Sequence, residues 1–255
     1  MKKLLSAATV AGAFLIAPQA SAEIAGFEFE VGGYAWQNEL TGEISGAGLS
    51  INLGNNGIDV GSNTNGNAYV SFRHPVPIVP NVRISHTFLE NSGSGTANFG
   101  NNVIFNAKDS IIDISHTDVT LFWTPIDIAF FTWDLGASAR IFDGNIRFRG
   151  TFTSAPDTPV DQSSALNPTY ALLYNNFGFD LPLGLGVQVE LTGGSNGKET
   201  AIDTTAKLEY ESFFGLGAAL GYRYLDIDLE SKLNGEKLIY KLDAHGPFLS
   251  LFYRL

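Results

Sequence analysis

The chain of 255 residues contains no cysteine, which removes disulfide frameworks and thiol-based metal centres from consideration. Positive charge is also scarce: 15 Lys and Arg stand against 26 Asp and Glu, for a net charge of −11. A chain this acidic has no basic footprint for nucleic acid and no polybasic patch for anionic membrane surfaces. Long apolar runs are missing as well. Beyond the first residues nothing approaches the roughly 18 consecutive apolar positions of a membrane-spanning helix, although 44% of the residues are hydrophobic and 12% aromatic. A helical membrane protein is therefore excluded, while a secreted β-protein and a membrane β-barrel both remain.

The N-terminus reads as a secretory signal. Lys2 and Lys3 supply a positive start, Leu4 to Ala17 is apolar or small, and Ala20-Ser21-Ala22 forms an A-x-A cleavage site before Glu23. The apolar stretch is shorter than the roughly 20 residues of a bilayer span. No cysteine follows the cut, so lipid attachment is not expected there. The predicted organisation is a signal peptide over 1–22 and one domain over 23–255, without internal repeat or linker. Loss of Lys2 and Lys3 leaves 13 basic residues against 26 acidic ones.

After the signal the chain alternates with period 2. Phe27, Phe29, Val31, Gly33 and Ala35 share one face opposite Glu28 and Glu30. Ile202, Thr204, Ala206, Leu208 and Tyr210 oppose Asp203, Thr205, Lys207, Glu209 and Glu211; Leu216, Ala218, Leu220, Tyr222 and Tyr224 oppose Gly217, Ala219, Gly221 and Arg223. Such alternation describes strands with one apolar and one polar face. Ten strands are predicted, near 24–38, 66–74, 81–90, 110–123, 132–142, 169–180, 185–193, 200–211, 215–230 and 237–255. Short connections (His74–Pro80, Thr124–Phe131, Leu181–Gly184, Ser212–Phe214) alternate with longer ones at 39–65, 91–109 and 143–168, then 194–199 and 231–236. Outer-membrane barrels have short periplasmic turns, longer outer loops and an even strand count. The expected fold is all-β: a transmembrane antiparallel up-and-down barrel of about ten strands, with eight and twelve left open.

Two further strings stand out. The alternation Leu249, Leu251, Tyr253, Leu255 runs to the last residue, and Tyr253 and Leu255 resemble the terminal signal read by the barrel-assembly machinery, although Leu255 departs from the usual Phe. The segment His74-Pro75-Val76-Pro77-Ile78-Val79-Pro80-Asn81, with Gly221-Tyr222-Arg223 and Gly246-Pro247-Phe248, resembles a family of proteobacterial outer-membrane barrels of about this length. That family is the "outer membrane protein with GlyGly" family. The resemblance implies an outer-membrane location and a barrel fold, and it brings no established activity and no catalytic residues. Prolines cannot donate to a sheet ladder, so His74, Pro75, Pro77, Pro80 and Asn81 are expected to form a rigid periplasmic turn; a docking segment for a partner is the alternative.

Chemistry-bearing residues are sparse. His74, His86, His116 and His245 lack metal-ligand spacing. Ser115, His116 and Asp118 lie close in sequence, but strand neighbours point to opposite faces, so Ser115 and His116 cannot pair directly. Tyr34, Trp36, Trp123, Trp133, Phe248, Phe252 and Tyr253 are expected in the aromatic girdles of a barrel. Taking the polar faces as inward places Glu28, Glu30, Arg73, Arg83, Asp134, Arg140, Glu190, Asp203, Lys207, Glu209 and Arg223 in the lumen, where opposite charges should pair. The expected function is an accessory or surface-binding membrane barrel with a largely plugged lumen, with no cofactor. A narrow channel for small or apolar solutes and an outer-membrane hydrolase are the alternatives. Outer-membrane lipid including lipopolysaccharide, the barrel-assembly machinery and periplasmic chaperones are the expected partners, and nucleic acid is not; the oligomeric state is open.

Cleavage is expected after Ala22, with the mature protein recovered in the outer-membrane fraction. Amino-terminal sequencing of the fractionated protein checks this, and a soluble periplasmic product would sink the barrel reading.

Overall fold

A strand with one apolar face has nowhere in lipid to leave its backbone groups unpaired. This chain meets the requirement by returning its sheet upon itself. The computed structural model describes residues 26–46, 49–54, 57–98, 103–233 and 236–255; the expected signal peptide at 1–22 lies outside them. The strands in chain order are β1 (Glu28–Gly46), β2 (Leu49–Leu53), β3 (Ile58–Asp59), β4 (Ser62–Arg73), β5 (Asn81–Phe88), β6 (Glu90–Asn98), β7 (Ile104–Asp113) and β8 (His116–Ile128). There follow β9 (Phe131–Phe142), β10 (Gly144–Phe152), β11 (Ala155–Leu166), β12 (Thr169–Leu181), β13 (Leu185–Ser195), β14 (Thr200–Glu211), β15 (Leu216–Leu233) and β16 (Glu236–Arg254).

Ten of these strands close an antiparallel barrel in the order β1-β4-β5-β8-β9-β12-β13-β14-β15-β16. Closure is made by β16 lying along β1, from Glu30↔Arg254 to Gly46↔Leu238. The other six strands carry the wall beyond the barrel at the end away from Gly26 and Leu255. There β6 follows β5 after Leu89, β7 leads into β8, β10 follows β9 after Asp143, and β11 leads into β12.

This corrects the expectation of long loops at 91–109 and 143–168, which are largely the upper parts of two hairpins. The segment 39–65 likewise contributes the top of β1, together with β2, β3 and the start of β4. Gly, Asn, Ser and Thr are turn formers locally, but neighbouring strands supply ladder partners that local propensity does not register. Gly194, expected in the 194–199 connection, belongs to β13 for the same reason.

Along the strands that continue past the barrel the polarity inverts. On β15, Leu216, Leu220, Tyr222 and Tyr224 face outward, and Asp226 and Asp228 continue the same row. The inward row begins Gly217, Gly221, Arg223 and continues as the fully buried Leu225, Ile227 and Leu229. On β16 the outward Leu249, Leu251 and Tyr253 give way to Lys241 and Asp243, while the inward row ends in Ala244, Leu242, Tyr240 and Leu238. The lower storey is apolar outside and polar inside, and the upper storey is the reverse. The upper interior, including Leu40, Ile44, Ile58, Leu89, Phe105, Ile112 and Ile146, forms one hydrophobic cluster. Each large aliphatic buried there contributes about 1.5–3 kcal/mol.

Four aromatics expected in the girdles turn inward instead: Tyr34, Trp36, Phe248 and Phe252 are on the lumen rows of β1 and β16, and Trp36 Nε1 donates to Gly246 O at 3.1 Å. Their rings need space, and glycines provide it. A Cβ on Gly217 would fall 2.1 Å from the Phe252 ring, and one on Gly221 would fall 2.3 Å from the Phe248 ring.

The inversion makes opposite demands on one strand. Ile227→Ala should cost about 2–5 kcal/mol, as for a buried aliphatic truncation, with membrane insertion retained. Leu220→Asp should impair insertion instead, because a charge on the lipid face costs up to about 2–4 kcal/mol. Urea midpoints and heat-modifiable gel migration separate the two effects.

Candidate functional site

The lumen of the lower storey gathers charged residues from nine of the ten barrel strands, and β12 adds the neutral Asn176. Alternation points every second side chain inward, and a barrel near the small end of the size range leaves those side chains in mutual contact. Each of the eleven charged residues assigned to the lumen takes part in an ion pair.

Three tiers rise from the short-turn end. At the base, Arg254 reaches Glu30 at 2.6 Å and also Glu211, Glu28 and Glu209. Beside it, Arg73 forms a two-pronged contact with the buried Asp134, at 3.0 and 2.7 Å. Thr124 and Asn176 donate to the same carboxylate at 2.8 and 3.0 Å. In the middle, Arg83 pairs with Glu190 at 2.9 Å and lies over the Tyr69 ring, while Lys207 pairs with Glu209 at 2.8 Å. At the top, Asp203 bridges two arginines, accepting from Arg140 at 2.7 Å and from Arg223 at 2.6 Å. Arg140 also grips Asp118 through Nε and Nη2, each at 2.8 Å. Arg223 donates to Tyr34 Oη and Thr87 Oγ1 and lies over the Trp36 ring.

Arginine suits this lattice because its planar fork donates in several directions and stays charged when buried. Five of the seven arginines are in the lumen. Glu211 and Arg254 were missed as lumen residues, although strand parity marks both: each continues an inward row, after Glu209 and Phe252 respectively. Between the middle and top tiers lies a cavity of about 40 Å³, lined by Tyr34, Tyr69, Arg83, Glu190, Asp203 and Lys207 among others. A water needs roughly 10–15 Å³ of such space, so the cavity has room for a few waters.

The other candidate groups are dispersed. Ser115 Oγ donates to Asp113 at 2.6 Å and accepts from the Leu89 N–H, whereas His116 turns into the lumen with Nδ1 at 3.0 Å from Ile114 O. His116 and Asp118 share the inward face, but the Asp118 carboxylate is held by Arg140. His86 contacts Thr117, and His245 packs outward against Tyr222 and Tyr224. Among the described residues no group of three or more His, Asp or Glu is disposed to hold a metal. In the proline turn, the His74 N–H donates to Asn81 Oδ1 at 3.0 Å and His74 Nε2 lies 3.1 Å from Pro80 O, so Pro75 and Pro77 are carried in a pinned bend. Tyr253 faces outward, and Leu255 exchanges two backbone hydrogen bonds with Phe29.

On the outside of the upper storey, Asp226 and Asp243 lie opposite each other on β15 and β16, and Tyr224 donates to both. Partial burial, with the facing Asp243 carboxylate, raises the Asp226 pKa. Farther round, a two-pronged hydrogen bond from Arg147 lowers that of Asp161.

No protein-family model matches the chain, and no curated protein matches it in sequence. Solved structures do match in fold. The outer membrane protease OmpT from Escherichia coli is similar over 93% of this chain and 99% of its own, with a TM-score of 0.50 and 6% identity. The toluene transporter TodX of P. putida matches over 91% of this chain and 90% of its own (TM-score 0.36, 9% identity). Neisserial surface protein A matches over 90% and 97% (TM-score 0.32, 10% identity). At these identities the likeness is one of fold alone. Fold and lumen together define the class: a ten-stranded β-barrel of the outer-membrane type, extended beyond its barrel by a β-structured upper storey.

Arg223→Ala leaves Asp203 short of one of its two arginines in a desolvated lumen. Removing one partner of a buried pair typically costs about 3–5 kcal/mol, and urea unfolding in detergent should show a loss of that size. Arg147→Ala, at the exposed Asp161 pair, should cost under about 1 kcal/mol.

Proposed function

We propose that this protein is an integral barrel of a Gram-negative outer membrane that binds partners at the cell surface and does not conduct. The observation that carries the reading is the double closure of the interior. The three-tiered ion-pair lattice occupies the lower lumen, and the apolar cluster around Leu40, Ile44, Ile227 and Tyr240 fills the storey above. A solute would have to separate buried ion pairs and then cross a packed apolar core. The upper storey is accordingly the working surface.

Orientation follows from connection lengths. The short turns and both Gly26 and Leu255 belong on the periplasmic side, and the extension belongs outside. Lipopolysaccharide would surround the outer half of the belt, and Tyr253 and Leu255 would serve the assembly machinery. The His-Pro-rich turn supports membership of the GlyGly outer-membrane family, which carries no assigned activity. A hydrolase reading finds less support, because Ser115 and His116 diverge and Asp118 is committed to Arg140.

The purified protein in planar bilayers should give at most small, rare openings. Replacing both Arg140 and Arg223 with Ala should lower stability before it produces a steady pore. Large, steady, ion-selective conductance from the wild-type protein would overturn this reading in favour of a channel.

A further inference from the structure

The four tight turns at the periplasmic end share a feature that their length does not explain. Residues 74–80, 129–130, 182–184 and 212–215 contain no Asp, Glu, Lys or Arg. Each instead presents a large apolar side chain at its apex: Ile78 is 87% exposed, Phe130 63%, Leu183 88% and Phe213 97%. The hairpin at the opposite end between β13 and β14 reads Asn196-Gly197-Lys198-Glu199, as a water-facing turn should.

Leu183 sharpens the contrast. Its φ of 69° lies in the left-handed region, which water-facing turns fill with Gly or Asn because a bulky side chain is strained there. The backbone accepts that strain while a leucine is held outward at the tip of the Pro182–Gly184 turn. The proline turn is likewise fixed in place, since Trp123, itself outward on β8, donates through Nε1 to Ile78 O at 3.3 Å. Val76, Ile78 and Val79 therefore stand beside the lipid-facing row.

Exposed apolar surface on this scale marks an interaction site, and its arrangement selects the occupant. The tips are spread around the circumference, on the β4–β5, β8–β9, β12–β13 and β14–β15 connections. A protein partner would call for one contiguous patch, whereas a planar lipid surface contacts the whole rim. Each tip also continues a lipid-facing row without a charged interruption: Leu208 and Tyr210 lead to Phe213 and Phe214, and Phe179 and Leu181 lead to Leu183. We propose that the apices of these turns insert into the phospholipid of the periplasmic leaflet, so that the outer edge of the periplasmic rim is submerged while the exposed Asp127 and Asp180 stay at the barrel mouth. The base tier around Arg254 then seals the lumen at membrane depth.

The inference rests on the outer-membrane reading above, and the absence of native cysteine gives a clean test. Ile78→Cys, Leu183→Cys and Phe213→Cys, each labelled with an environment-sensitive fluorophore, would be reconstituted in phosphatidylethanolamine–phosphatidylglycerol vesicles. Leu251→Cys in the middle of the belt and Lys198→Cys in the opposite hairpin serve as references. The three tip labels should lose emission to chain-brominated lipid as Leu251→Cys does, and should be untouched by aqueous iodide, which quenches Lys198→Cys. Tip labels reached by iodide while Leu251→Cys stays lipid-quenched would overturn the submerged rim and leave the barrel reading standing. Iodide access at Leu251→Cys would remove both.

Discussion

Everything in this molecule depends on the pairing of β16 with β1. In hydrocarbon an open sheet edge leaves a row of N–H and C=O groups without partners, so the sheet must return to its first strand. The long antiparallel register from Glu30↔Arg254 to Gly46↔Leu238 accomplishes this. Closure fixes parity: once β1 directs Glu28 and Glu30 inward, strands locked in antiparallel register around the ring direct one face to the lumen and the other to lipid. The ion-pair lattice is a consequence. Arg73, Arg83, Arg140, Arg223 and Arg254 come from five different strands and meet acids from others only because the ring is complete.

The closed wall then serves two solvents. While it crosses lipid, burial pressure acts on the outside of the barrel, and the polar rows have only one another for company. Above the membrane the pressure reverses, and the rows that carried Gly221 and Arg223 carry Leu225, Ile227 and Leu229 instead. The upper storey thus resembles a water-soluble β-protein mounted on a membrane one. The two interiors are filled by different means, ion pairing below and apolar packing above. The cavity of about 40 Å³ lies within the paired charges.

Much of this was legible in the residue order. The ten barrel strands, the antiparallel closure and the inward faces of β14 and β15 follow from period-2 alternation, because a strand's two faces are set by parity alone. Parity also separated Ser115 from His116. The upper storey was not legible, and 91–109 and 143–168 were expected as loops: glycine, asparagine and serine signal turns over a few residues, and the partners that stabilise them as strands are distant in sequence. Tyr34, Trp36, Phe248 and Phe252 misled for a related reason, since an aromatic fits a lipid girdle or a lumen floored by glycine equally well.

By itself, then, the sequence determined the period of the strands, the absence of spanning helices and which residues share a face, all of which are local properties of a two-residue repeat. Only the tertiary structure decided which acid each arginine meets, where along a strand the polarity inverts, and which glycine makes room for which ring. Those are contacts between strands far apart in the chain, and their geometry exists only after the sheet has closed.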